Sequence, residues 1–197
     1  METYNISGLT KKLLGSRLKL FTLPTLQNLL KIENERTLFR VIETFQKNGV
    51  LTKIERNKYQ ITDSYVNSFE VANFLYQPSY ISLETALNYW GILSQFPYEM
   101  TSITTKKTVE KEFDGVTYTY RHICPKYFGM FEKVDNALIA SPEKALFDQI
   151  YLASKGLKIL HMDEYDFTHI NKKTFWNLCA QLHADKNIIK LAQPIGK

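Results

Sequence analysis

Leu38, Val41, Ile42 and Phe45 recur at i, i+3, i+4 and i+7, so residues 34–48 predict a helix with one apolar side. Asn34 stands before it as a cap, Glu35 suits its positive end, and Gly49 after Asn48 supplies a left-handed stop. Immediately downstream, "VLTKI" and "YQIT" alternate with period two around "ERNK", the pattern of a hairpin. Upstream, Ser7 is placed to cap a short amphipathic helix carrying Leu9, Leu13 and Leu14. Thr22 and Pro24 then open a second helix, "TLPTLQNLLKI", with proline in the first turn where its missing N–H is harmless. Three helices, a strand, a turn and a strand make a winged helix-turn-helix, expected over residues 1–63.

Beyond Asp63 the pattern changes without a Gly/Ser linker. "VANFLYQPSYISLETALNYWGIL" predicts a helix capped by Ser82 and stopped at Gly91, with Leu83, Ala86, Leu87 and Trp90 as its apolar stripe. "MTSITT", "TVEKEF", "VTYTYRHI" and "MFEKVDNALIA" read as strands, with a turn at Asp114–Gly115. Ser141–Pro142–Glu143 is a strong helix start for "EKALFDQIYLASKG", and a last helix is expected over roughly Lys172–Leu182. Residues 64–197 therefore read as an α+β domain: a small antiparallel sheet flanked by helices.

Composition adds one asymmetry. Residues 1–62 carry 11 Lys/Arg against 5 Asp/Glu, a balance of +6. Residues 63–197 carry 14 against 15, a balance of −1, which together give the net +5. Positive charge concentrated in a helix-turn-helix head points to nucleic acid. At about 100° per residue, Arg36, Arg40, Glu43 and Lys47 fall opposite the apolar stripe, flanked by Thr37 and Thr44. An arginine fork can donate two hydrogen bonds to a guanine edge. The expected DNA-binding set is Arg36, Thr37, Arg40, Thr44 and Lys47 on the helix with Lys53, Arg56 and Lys58 in the wing. Thr22 and Thr25 would meet phosphate near a helix N-terminus. The plainer alternative is that Arg36, Arg40 and Glu43 form a solvated ion-pair surface worth only tenths of a kcal/mol.

Several chemistries lack their residues. No Asp or Glu has lysine at the second following position, so the acid–x–lysine arrangement of many metal-dependent nucleases is missing, and there is no glycine-rich phosphate loop. Cys179 and His183 sit four apart, but His161 and His169 are only distant candidates to complete a zinc site. The acidic stretch "MDEYD" (162–166) reads as a solvated loop before a cation site, and Tyr118, Tyr120 and His122 share a strand face read as core or partner surface. No catalytic residue, metal or cofactor is therefore expected, and the chain reads as a non-enzyme. Two cysteines far apart fit a reducing compartment, and the absence of a long apolar run or signal-like N-terminus gives the expectation of a cytoplasmic protein without a membrane partner.

"YISLETALNYWGIL" (80–93), the strands up to "YFGMF" (127–131) and "IASPEKALFDQIYL" (139–152) resemble the AbiEi antitoxins of bacterial abortive-infection toxin–antitoxin systems. With the winged head, the resemblance covers roughly residues 5–155. It implies a transcriptional autorepressor that binds operator DNA at inverted repeats upstream of its own operon, with self-association on that DNA. It also implies an antitoxin acting against a co-encoded nucleotidyltransferase toxin in a type IV system, where no stable complex is required. Carried onto this chain, the recognition positions are Arg36, Thr37 and Arg40 and the wing is Lys53–Lys58. Two other readings compete: a winged-helix protein–protein interaction module that never meets DNA, and a metal-dependent nuclease.

Overall fold

Asn5, not Ser7, caps the first helix: its side-chain oxygen accepts from the Gly8 amide at 3.1 Å. In the computed structural model, which describes residues 5–196, the chain divides into two units, Met1–Asn67 and Ser68–Lys197. The break falls a few residues beyond the expected boundary at 63. The protein is α+β, with eight α-helices and two sheets among the described residues.

The first unit runs α1 (Ile6–Gly15), β1 (Leu20–Thr22), α2 (Leu23–Leu30), α3 (Glu35–Lys47), β2 (Leu51–Glu55) and β3 (Lys58–Ile61). Its sheet is antiparallel in the order β1-β3-β2. β1 had no counterpart among the sequence expectations, because three residues are too few to show alternation. Thr22 caps α2 and Asn34 caps α3, accepting from the Thr25 and Thr37 amides at 3.3 and 3.0 Å. Leu38, Val41, Ile42 and Phe45 are all buried, against Leu13, Phe21, Leu26, Leu30 and Tyr59 among others. Each such side chain is worth about 1.5–3 kcal/mol of burial, so this stripe is what seats α3.

The second unit contains α4 (Ser68–Leu75), β4 (Ser79–Ile81), α5 (Leu83–Tyr89), β5 (Met100–Thr104), β6 (Val109–Phe113), β7 (Val116–His122), β8 (Phe131–Val134), β9 (Ala137–Ala140), α6 (Pro142–Ser154), α7 (Lys172–Gln181) and α8 (Lys186–Leu191). Its sheet is neither small nor purely antiparallel. It has six strands in the order β6-β7-β5-β4-β9-β8, and β4 with β9 and β5 with β7 pair in parallel. The inner strand β4 is buried at all three positions, so it offers no polar alternation to read. The expected strand 130–140 is instead the β8–β9 hairpin, bent at Asp135 and Asn136. Ser141 caps α6 as expected, accepting from the Lys144 amide at 3.2 Å.

Ser82 precedes α5 but makes no capping hydrogen bond. Its hydroxyl donates to Asp148 at 2.8 Å, across 66 positions of sequence. α6 is buried along its whole length from Glu143 to Leu152, and α5, α7 and α8 pack against it.

Candidate nucleic-acid interface

The apolar side of α3 is buried, which leaves Arg36, Arg40 and Lys47 facing outward together with Glu35 and Glu43. Arg36, Arg40 and Lys47 are exposed; Thr37 and Thr44 are half-buried on its flank. Arg36 and Arg40 lie one turn apart, and among the described residues neither guanidinium has an acidic partner. Glu43 shares this face but is not bridged to them, so the expected alternative of an internally paired surface is not what the side chains form. The threonines are partly committed: the Thr44 hydroxyl donates to the Arg40 carbonyl at 2.9 Å, and the Thr37 amide is the one held by Asn34.

The β2–β3 turn closes the antiparallel pair that follows α3. Arg56 and Asn57 form it, with Asn57 at φ +61, a left-handed conformation that asparagine tolerates better than most residues. The Asn57 carbonyl accepts from the Leu23 amide at 2.9 Å, which ties the turn to the start of α2. This tie was not foreseeable from either segment alone. Lys53 and Arg56 are exposed. The Lys58 ammonium donates to Glu55 at 2.6 Å, directly across the turn, so the expected phosphate contact would compete with this bridge. The Thr22 and Thr25 hydroxyls lie 2.8 Å apart and bond each other while Thr22 caps α2, so this pair is spoken for locally.

A second concentration of ionisable groups escaped the sequence reading. Lys144 and Asp148, each 0 % exposed, are i and i+4 on α6 and form an ion pair within the second unit. Lys144 also donates to the Tyr80 hydroxyl at 2.8 Å, and Tyr80 and Ser82 donate to Asp148 at 2.9 and 2.8 Å. Burial pushes the Asp148 carboxyl up and the Lys144 ammonium down, each opposed by attraction to the other; burial beside Asp148 raises Tyr80 well above its usual value. The Lys-x-x-x-Asp spacing in a largely apolar helix was the available signal. The network is closed to solvent and joins β4, the start of α5 and α6.

The zinc candidate does not form a pair on one helix face. α7 ends at Gln181, Cys179 is buried, and His183 lies beyond the end, exposed, at φ +47. Burial pushes the Cys179 thiol up to about 11. Among the described residues no group of three or more His, Cys, Asp or Glu is placed to hold a metal ion. In the acidic loop, Asp166 accepts from the Thr168 amide and hydroxyl at 2.9 and 2.6 Å. Tyr118 and Tyr120 are core, and His122 is exposed, with Nδ1 3.0 Å from the Lys106 carbonyl. No described helix is long and apolar enough to cross a membrane.

No family model matches the chain, and no curated protein matches it either. A functional reading therefore rests on this geometry and on the sequence resemblance.

Proposed function

We propose that the first unit is a winged helix-turn-helix that binds operator DNA, with α3 in the major groove and the Arg56 turn as its wing. The order α1-β1-α2-α3-β2-β3 and the strand order β1-β3-β2 support this reading. The observation that carries it is the pair Arg36 and Arg40: two exposed guanidinium groups one turn apart, without acidic partners among the described residues, on a helix anchored by its opposite side. Arg36 and Arg40 reach base edges, Lys47, Lys53 and Arg56 meet phosphates, and Thr37 and Thr44 border the contact. Lys58, bridged to Glu55 in the free protein, lies with Lys53 and Arg56 in the wing.

The whole chain acts, on this reading, as an AbiEi-like autorepressor and antitoxin in the cytoplasm, not as an enzyme. The second unit counters the nucleotidyltransferase toxin of the same operon without a lasting complex, and the chain self-associates on inverted repeats. The stretches 80–93 and 139–152, with the strand region up to 127–131 between them, support this part; the first two contain most of β4, α5, the α6 start and the buried network around Asp148.

Fluorescence anisotropy with DNA from upstream of the chain's own gene tests the DNA-binding half. Affinity should fall steeply with salt, and Arg40→Ala should cost about 1–3 kcal/mol of sequence-specific binding. Site preference that survives Arg40→Ala would place recognition elsewhere. Growth of cells expressing the neighbouring nucleotidyltransferase, with and without this chain, tests the antitoxin half. Rescue by a chain lacking both Arg36 and Arg40 guanidinium groups would separate the two activities.

A further inference from the structure

Between α4 and the β8–β9 hairpin lies a cleft of about 440 Å³ lined by Asn73, Gln77, Pro78, Ser79, Phe128, Phe131 and Leu138. That volume is in the range of small-molecule sites. Two polar atoms of its lining residues lack partners. Ser79 is 4 % exposed and its hydroxyl makes no hydrogen bond, and the Nδ2 of Asn73 makes none either. Buried polar groups are ordinarily paired, so each such orphan calls for an explanation. The orientation of the Asn73 amide follows from its other end: Oδ1 accepts from the Leu138 amide of β9, leaving Nδ2 as the free donor. Whatever completes this wall must therefore offer acceptor atoms.

The rest of the lining defines the body of the ligand. The Phe128 and Phe131 rings stand 5.9 Å apart at 68°, an aromatic corner, and both side chains are only half-buried. Pro78 and Leu138 extend the apolar wall, and none of the lining residues is charged. A charged group entering here would lose its hydration without a counter-charge, whereas a flat neutral ring would stack at little such cost.

We propose that this cleft binds a neutral planar heterocycle whose edge carries hydrogen-bond acceptors, the chemistry of a nucleobase, accepting from Asn73 Nδ2 and the Ser79 hydroxyl and stacking in the Phe128–Phe131 corner. This site is independent of the DNA-binding reading of the first unit, and its test uses no DNA. Uridine and adenosine are titrated into the full chain by calorimetry and by saturation-transfer NMR, with toluene as a flat ring without acceptors. A nucleoside is expected to bind with its base protons next to Phe128 and Phe131, and toluene more weakly. Ser79→Ala should weaken binding about tenfold while leaving the melting temperature equal or higher, since it removes only an unpaired hydroxyl. Asn73→Asp keeps the acceptor for Leu138 and replaces the free donor by an acceptor, and should weaken it at least as much. The proposal is overturned if neither nucleoside binds the folded wild-type chain at millimolar concentration, if toluene binds as well, or if both variants bind as the wild type does.

Discussion

Lys144→Met tests the buried network most directly. It removes the one cation that, among the described residues, touches Asp148, while leaving the Tyr80 and Ser82 hydroxyls as donors, and it removes one hydrogen bond to Tyr80. Breaking one side of a buried ion pair costs about 3–5 kcal/mol, because the remaining charge stays uncompensated. For a unit of this size that lowers the melting temperature by roughly 10–20 °C. Both tryptophans, Trp90 and Trp176, belong to the second unit, so urea unfolding followed by tryptophan fluorescence reads this unit alone. Lys144→Met/Asp148→Leu removes both charges and should recover most of the loss. The pH dependence has a definite sign. Burial holds the Asp148 carboxyl above its ordinary 3.8, and without Lys144 the opposing pull is gone. A carboxyl with a raised folded-state pKa favours folding below its unfolded value and loses that contribution as pH rises through the folded one. The deficit of Lys144→Met should thus be smallest near pH 4 and grow toward pH 7, and the double variant should lack this slope. A deficit under about 1 kcal/mol at pH 7, or one that does not change with pH, would refute the reasoning.

Three further outcomes are expected. Glu55→Gln removes an acid from the wing and the carboxylate that competes for Lys58, so binding to unrelated DNA should tighten and the slope of log K against log salt should steepen by up to about 0.9; an unchanged slope would mean that this bridge does not limit phosphate contact. Asn34→Ala removes the α3 cap and should cost the first unit about 1 kcal/mol, seen as faster exchange of the Thr37 amide with no change in the tryptophan-detected transition. At pH 8 a thiol reagent should label Cys124, which is partly exposed, and spare Cys179, whose thiol titrates at about 11; labelling of both at equal rates would show that Cys179 opens to solvent.

Residues 34–61 illustrate how far local pattern reaches. The stripe from Leu38 to Phe45, the Asn34 cap and the β2–β3 hairpin were legible because each depends on residues a few positions apart, and burial then follows the same period. The exposure of Arg36 and Arg40 came with the stripe, since a helix that buries one side must show the other. What the chain alone did not disclose needs two distant segments at once. β1 exists because Leu20–Thr22 pairs with β3, and β4 because Ser79–Ile81 meets β5 on one side and β9 on the other. Lys58 reads as a free cation until the turn sets Glu55 against it. Ser82 reads as a cap until the fold brings Asp148 within 2.8 Å, and Lys144 is buried because α5, α7 and α8 enclose α6. Periodicity reports how a residue faces within its own element, whereas hydrogen-bond partners and desolvation are decided by which elements meet, and only the tertiary structure chooses those.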